Sequence, residues 1–418
     1  MSRILLLTHR LPLPPNRGDK IRSYHLLRHL AARHQVAVAC PIDDARDLAH
    51  LPALAEICEQ VLSVRIDGGL AKLRWPQAFV RGEAISAVHF HSAELQAQID
   101  DLLDRTAFDA VFCYSAPMAN YVFRSRHRER LLGQTTLLAD LIDVDSEKWA
   151  DYAASARPPV SWVYRRESAQ LARLEAEIVA RFDAVYLTTA DEVGLLRGRL
   201  PDSRTVQVLA NGVDLAFYDR ARAPAPPAGR PPGPAIVFTG VMDYAPNVDA
   251  VCWFADEILP AVRRRVRDAH FVIVGSRPNA AVQALAGRAA VTVTGFVDDV
   301  RGDLAAAAVC VAPLRIARGV QNKVLEAMAM AQPVVCTSAA ATGIDVLPGR
   351  DLFVADDPAG FADKVCELLG DRALAARAGD AARAFVERHH RWEANLAVLD
   401  RVLPVAAVVS DEVVASHG

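Results

Sequence analysis

The sequence predicts an α/β protein made of two doubly wound, Rossmann-like domains, each a parallel sheet covered by helices. Three observations carry that expectation. Short apolar runs alternate with helical stretches along nearly the whole chain. The alternation breaks at 221–234, rich in Pro, Ala, Gly and Arg, and then restarts. At 418 residues the chain is also too long for one ordinary domain. Domains are expected at 1–209 and 210–390, and two such domains leave one cleft between them, the default place for a substrate.

The first strand is Ile4 to Thr8. Its apolar core is too short for a signal peptide, and it runs into a Pro-rich loop, His9 to Asp19. A helix from about Lys20 to Arg33 and a strand from Gln35 to Cys40 complete a βαβ unit. Further strands are expected at 61–66, 110–114, 136–142 and 184–189. Arg74 to His91 reads as irregular; its Trp75, Phe79 and Phe90 are expected to be buried, with an acceptor-facing or membrane-facing loop as the alternative. Arg124 to Arg130 is a cationic run on a helix, read as a solvated face. Asp140 to Asp145 is a strand running out into a loop, where Asp143 and Asp145 would face the ligand crevice. A long helix follows from about Ser161 to Arg181.

Asn211-Gly212 is a turn signal, and after the linker the pattern resumes. Ala235 to Thr239 is a strand with the loop 240–246. Asn247 to Val266 is a helix. His270 to Val274 is a strand leading to the Gly275 turn, and Val291 to Thr294 a strand leading to Gly295-Phe296-Val297. Val309 to Leu314 and Val334 to Ser338 are strands that bracket Gly319 to Pro333, where a helix should start near Asn322 and stop before Pro333. Asn322, Lys323 and Glu326 share one face of its first turns. That end of a helix in an open parallel sheet opens on the ligand crevice and favours phosphate, so Lys323 suits phosphate oxygens and Glu326 ribose hydroxyls. A surface Lys-Glu pair at this spacing would contribute only about 0.2–0.5 kcal/mol.

Composition narrows the function. The chain is about half apolar with a net charge of −3, which argues against nucleic acid as a partner. The seven cysteines form no C-x-x-C and sit mostly in apolar runs, so neither structural zinc nor a disulfide framework is expected, and a reducing cytosol is favoured. No apolar run approaches the ~18 residues of a membrane span. Lysine occurs only at 20, 72, 148, 323 and 364, and two of these, Lys20 and Lys323, fall in the stretches singled out for function. No G-x-G-x-x-G is present, against a dinucleotide-dependent dehydrogenase.

With Asn211 to Asp214, Phe238-Thr239-Gly240, the Gly275 turn and Lys323 to Pro333 in this order, the sequence resembles GT-B fold glycosyltransferases of family 4. The segments 239–249 and 142–149 resemble more narrowly the sugar transferases associated with the exosortase, or PEP-CTERM, system of Gram-negative bacteria. The resemblance implies a retaining, metal-independent hexosyltransferase of the GT-B kind, its two domains facing each other across the cleft. It needs no cofactor beyond a nucleotide-sugar substrate held by the second domain. The acceptor, a carbohydrate or lipid-linked oligosaccharide for exopolysaccharide, would bind the first domain. The protein would be cytoplasmic, with peripheral contact to the inner membrane left open. The terminal helix, 391–405, would pack back on the first domain.

Carried onto this sequence, the resemblance places Glu326 at the donor ribose, with Asn322 and Lys323 beside it. Gly18 and Asp19, in the loop from Asn16, lie against the donor phosphate and sugar. Gly240 lies at the diphosphate, and Gly275, Gly295 and Val297 border the base. Three departures stand out. An acidic residue usual eight positions before the glutamate is Arg318 here. The arginine and lysine that usually clamp the diphosphate are Val241 and Asn247. A histidine usual near the reaction centre is replaced around Asp143. The expectation is that the cationic clamp has moved to Arg318 and Lys323, since a leaving diphosphate must be met by positive groups. Asp143 or Asp145 would orient the acceptor or stabilise charge at the sugar carbon, or else cap the next helix. A sugar-nucleotide epimerase and a catalytically silent sugar-nucleotide-binding scaffold are the alternatives.

Overall fold

The computed structural model describes residues 1–67, 69, 74–200, 203–225, 232–317 and 319–403. The chain forms two units, one holding Met1–Leu209 with the described residues 396–403, the other Ala210–Asn395. The first is a seven-stranded sheet of β1 (Arg3–Thr8), β2 (Gln35–Ile42), β3 (Gln60–Arg65), β4 (Ala110–Tyr114), β5 (Thr136–Ile142), β6 (Ala184–Leu187) and β7 (Val206–Val208). Its order is β3-β2-β1-β4-β5-β6-β7, with every pairing parallel. Residues buried on both faces explain why these strands read as unbroken apolar runs: Ile4 to Leu7 are all at most 1% exposed.

The second unit repeats the plan with six parallel strands, β8 (Ala235–Thr239), β9 (His270–Val274), β10 (Val291–Gly295), β11 (Val309–Ala312), β12 (Val334–Cys336) and β13 (Phe353–Val354). Their order is β10-β9-β8-β11-β12-β13. In each sheet the chain first winds outward in one direction, then returns to the middle and winds the other way. The reversal leaves a crevice at the carboxyl ends of β1 and β4 in one sheet and of β8 and β11 in the other. Thus both predicted sheets are present; the three-residue β7 is too short to be read from sequence.

The helices that shape the rest of the argument are α1 (Gly18–Ala31), α2 (Trp75–Arg81), α3 (Ile85–Phe90), α4 (Asp145–Ser155), α5 (Val160–Arg181), α6 (Ala245–Trp253), α7 (Asn322–Ala329) and α8 (Arg372–His389). Below the first crevice, Arg22 of α1 is buried against Asp140 of β5. Its Nε lies 2.6 Å and its Nη2 3.1 Å from the two carboxylate oxygens, and Nη2 also donates to the Leu209 carbonyl at 2.8 Å. A charge this deep is tolerable only when paired and fully bonded.

Two expectations need correction. The stretch from Arg74 to His91 is not irregular: it holds α2 and α3, with Pro76 in the first turn of α2 and Gly82 closing it at φ 67°. Nor are its aromatics all buried. Trp75 and Phe79 are exposed, and only Phe90 is partly covered, with Arg10 over its ring and His9 at its edge. The cationic run from Arg124 is broken by a turn between helices ending at Phe123 and starting at Arg128. Several of its charges are paired, Arg124 with Glu83, and Arg126 with Asp101 and Asp104.

Candidate active site

The second crevice is built from two glycines and a lysine. β8 ends at Thr239 and the chain turns at Gly240, whose N–H donates to the Val274 carbonyl at 3.0 Å. A Cβ on Gly240 would stand 2.7 Å from Asn247 Nδ2 and 3.4 Å from Lys323 Nζ, so any larger residue would have to displace the Asn247 side chain. Gly275, at the end of β9 with φ 155°, abuts it; a Cβ there would fall 1.6 Å from the Gly240 carbonyl oxygen. Gly275 N–H in turn donates to the Gly295 carbonyl at 3.2 Å, so the loops after β8, β9 and β10 are stitched side by side. Val297 packs on the core, while Phe296 between them projects into solvent.

α7 enters this crevice from the β11 side. Its N-cap residue, Gln321, makes no side-chain cap to the first N–H groups of the helix. Lys323 reaches across the switch point: its Nζ donates to Asn247 Oδ1 at 2.5 Å and lies 4.5 Å from the centre of the Phe238 ring. Asn247 is itself fixed by its Nδ2 donating to the Val241 carbonyl at 2.9 Å. Withdrawal from water pushes the ammonium pKa down to about 7, against the attraction of Glu326. One turn along, burial raises the Glu326 carboxyl, opposed by a hydrogen bond from the Tyr218 hydroxyl and then by Lys323. The neighbouring Asn322 Oδ1 is buried without a hydrogen-bond partner among the described residues.

Of the residues expected from sequence in this unit, Gly240, Gly275, Asn322, Lys323 and Glu326 therefore come together, with Gly295 and Val297 on the adjoining loop. Arg318 lies outside the described residues. Tyr218 was not foreseen, because its partner lies far along the chain and no local pattern marks it.

Residues 233–371, one third of the chain, match the family model described as "Glycosyl transferases group 1", a span that holds all six strands of the second sheet together with α7. Among solved structures, sucrose-phosphate synthase from Thermosynechococcus elongatus is similar at TM-score 0.69 and 18% identity, over 96% of this chain and 98% of that one. HepE from Anabaena, solved with UDP and glucose, gives 0.66 and 14% over 96% and 99%. WaaG, a glycosyltransferase involved in lipopolysaccharide biosynthesis, gives 0.63 and 14% over 96% and 99%. No curated protein matches the sequence significantly. The fold is GT-B.

In the first unit the GT-B loop after β1 carries Gly18 and Asp19 at the start of α1. Asp19 is held within the unit: Arg10 donates to it at 2.7 Å, and His9 and Arg17 lie 3.4 and 3.5 Å away. Burial alone would raise its pKa, but the bond from His9 and the charges of His9, Arg10 and Arg17 hold it far below the usual carboxylate range. His9 and Arg10 are further residues that sequence reasoning passed over; the signal was their place at the carboxyl end of β1. His9 is stacked on Tyr114, whose hydroxyl donates to the Asp19 carbonyl at 2.8 Å.

Asp143 and Asp145 sit just past β5. Ile142 takes φ 73°, rare for a β-branched residue, and breaks the β5–β6 register there. Asp143 accepts a bond from Thr188 Oγ1 at 3.1 Å, and Lys148 Nζ lies 3.4 Å from Asp145. Burial raises the Asp143 pKa, and Asp145 raises it further. Neither carboxylate caps α4. Among the described residues, no three His, Cys, Asp or Glu side chains converge as metal ligands would.

Proposed function

We propose that this protein is a metal-independent, retaining glycosyltransferase of family 4 that takes a nucleotide-activated hexose as donor. The observation that carries the reading is the position of Lys323, a cation bonded to Asn247 directly over the glycine turn at the switch point of the second sheet. The match of 233–371 to a glycosyltransferase family and the UDP seen with the similar HepE structure support the same reading. The donor diphosphate would replace Asn247 as the partner of Lys323, at the start of α7, with Arg318, four positions earlier in sequence than Asn322, proposed as a second cation. Glu326, steadied by Tyr218, would accept bonds from ribose hydroxyls, and the turns at Gly275, Gly295 and Val297 would border the base.

As the glycosidic bond to the diphosphate breaks, negative charge grows on the leaving oxygen, and Lys323 stabilises it in place. The departing phosphate can take the acceptor's proton on the same face, so the protein's main contribution is positioning. Asp143, held by Thr188, would orient the acceptor hydroxyl, with Asp145 beside it; Gly18 and Asp19 would lie against the donor sugar. The acceptor is proposed to be a carbohydrate or lipid-linked oligosaccharide in exosortase-associated exopolysaccharide synthesis, at the cytoplasmic face of the inner membrane.

The test is a thermal-shift screen against UDP-, GDP-, ADP- and dTDP-sugars, with Glu326→Ala as control. One nucleotide family is expected to raise the melting temperature by several degrees, and the variant to lose that shift. No shift with any donor, or the same shift in the variant, sinks the proposed site.

A further inference from the structure

The exposed apolar residues of the first unit are not scattered. Trp75 and Phe79 are four apart on α2 and share its outer face, with Val80 next to them 89% exposed. Trp162, 62% exposed, and Arg166 are likewise four apart on α5. The two helices are locked together. The Arg166 guanidinium lies 4.3 Å from the centre of the Phe79 ring, and its nitrogens donate to the carbonyls of Glu83 at 2.9 Å and Ala78 at 2.5 Å. Trp162 and Phe79 therefore belong to one surface, which Val160 extends.

Its charge is one-sided. Residues 74–82 and 157–166 contain Arg74, Arg81, Arg157, Arg165 and Arg166 and no acidic residue. The acids that follow these two stretches in sequence are occupied elsewhere: Glu83 pairs with Arg124 at 2.6 Å, and Glu167 turns inward to the N–H groups of Ile85 and Ser86. Arg81, Arg157 and Arg165 are exposed and make no ion pair among the described residues. Two exposed indoles, a phenyl ring and valines rimmed by unpaired arginines match a bilayer interface, where aromatic rings settle at headgroup depth and arginines meet lipid phosphate. No helix among the described residues is long and apolar enough to cross a membrane.

We propose that the face formed by α2 and the start of α5 binds the surface of an anionic lipid bilayer. The proposal stands on this surface alone and does not depend on the donor site. The test is flotation of the full chain with vesicles of phosphatidylcholine, with and without phosphatidylglycerol. Co-flotation is expected only with phosphatidylglycerol and should weaken as salt is raised. Replacing Arg81, Arg157 and Arg165 together by Gln should weaken partitioning about a hundredfold, at about fivefold for each arginine. Trp162→Ala should weaken it several-fold. All four positions are exposed, so unchanged melting temperatures are expected in both variants and separate lost binding from lost folding. No flotation with anionic vesicles, equal flotation of the triple variant, or a wild-type dimer that Trp162→Ala turns into a monomer would each overturn the proposal; the last would mean that a second copy covers the face.

Discussion

Replacing Lys323 by Met probes the proposed donor site through both binding and pH. The wild-type ammonium is held at a pKa of about 7, against 10.5 for a free lysine, because the crevice withdraws it from water. A diphosphate arriving beside it would favour the charged form and raise that pKa, so by linkage the free protein must take up a proton to bind. With a free-state pKa of about 7, the charged fraction falls about eightfold between pH 7.5 and 8.5, and UDP affinity should fall severalfold, up to that factor. The window lies above the second phosphate ionisation near pH 6, so the nucleotide itself does not titrate across it. A charge-assisted hydrogen bond contributes about 1.5–3 kcal/mol, so Lys323→Met should weaken UDP binding near pH 7 by about ten- to a hundredfold and leave the remainder independent of pH.

The same shift has a consequence for the empty protein. The folded-state lysine gives up its proton near pH 7, whereas the unfolded one keeps it to about 10.5. The unfolded state therefore binds more protons between those values, and this group makes stability rise with pH across that window. Below pH 7 the full cost of the buried charge is present. Lys323→Met should then melt higher than wild type at pH 6 without nucleotide, while binding nucleotide less well. Isothermal titration with UDP at pH 7.5 and 8.5 and melting curves at pH 6 decide the matter. A wild-type affinity flat across the window, together with a variant that binds UDP equally well, refutes the reasoning.

Two further substitutions test the frame around the sites. Gly275→Ala would drive a Cβ to 1.6 Å from the Gly240 carbonyl oxygen, a backbone contact that cannot turn aside; a loss of at least about 3 kcal/mol is expected, seen as a melting temperature several degrees lower, and a wild-type melting curve would show the stitched loops to be wrong. Arg22→Gln would leave Asp140 buried without its cation; urea unfolding should show a loss of about 3–5 kcal/mol, and a change below about 1 kcal/mol would mean that the pair is not enclosed as described.

How much of this was legible in the sequence depended on the range of the interaction. The strands of both sheets were readable because strands buried on both faces must be apolar throughout, as Ile4 to Leu7 and Phe271 to Val274 are. The Lys323–Glu326 spacing was readable because helix geometry places such residues together. Trp75 and Phe79 were misjudged because an apolar residue with no clear periodicity is assigned to the core by default. The signal that could have corrected this was Pro76 and Gly82, which mark the start and end of a short helix, and the arginines with no acids between them. Tyr218 was not legible at all, since only the folded second unit brings it to Glu326.

Asn247 shows where the two kinds of information meet. In the family that the sequence resembles, a lysine usually stands at that position, and its loss taken alone would argue for a damaged donor site. In the fold, the Asn247 side chain is the partner of Lys323, at 2.5 Å across the Gly240 turn. A cationic clamp needs a positive charge at a fixed point above the glycine turn, not a particular helix to supply it. On the proposed reading, α6 has given up the lysine and kept the polar contact, while α7 supplies the ammonium from the opposite wall. A lysine restored at 247 would then meet Lys323 with like charge, so the single substitution Asn247→Lys should weaken UDP binding, and the double change Asn247→Lys with Lys323→Asn should recover part of it.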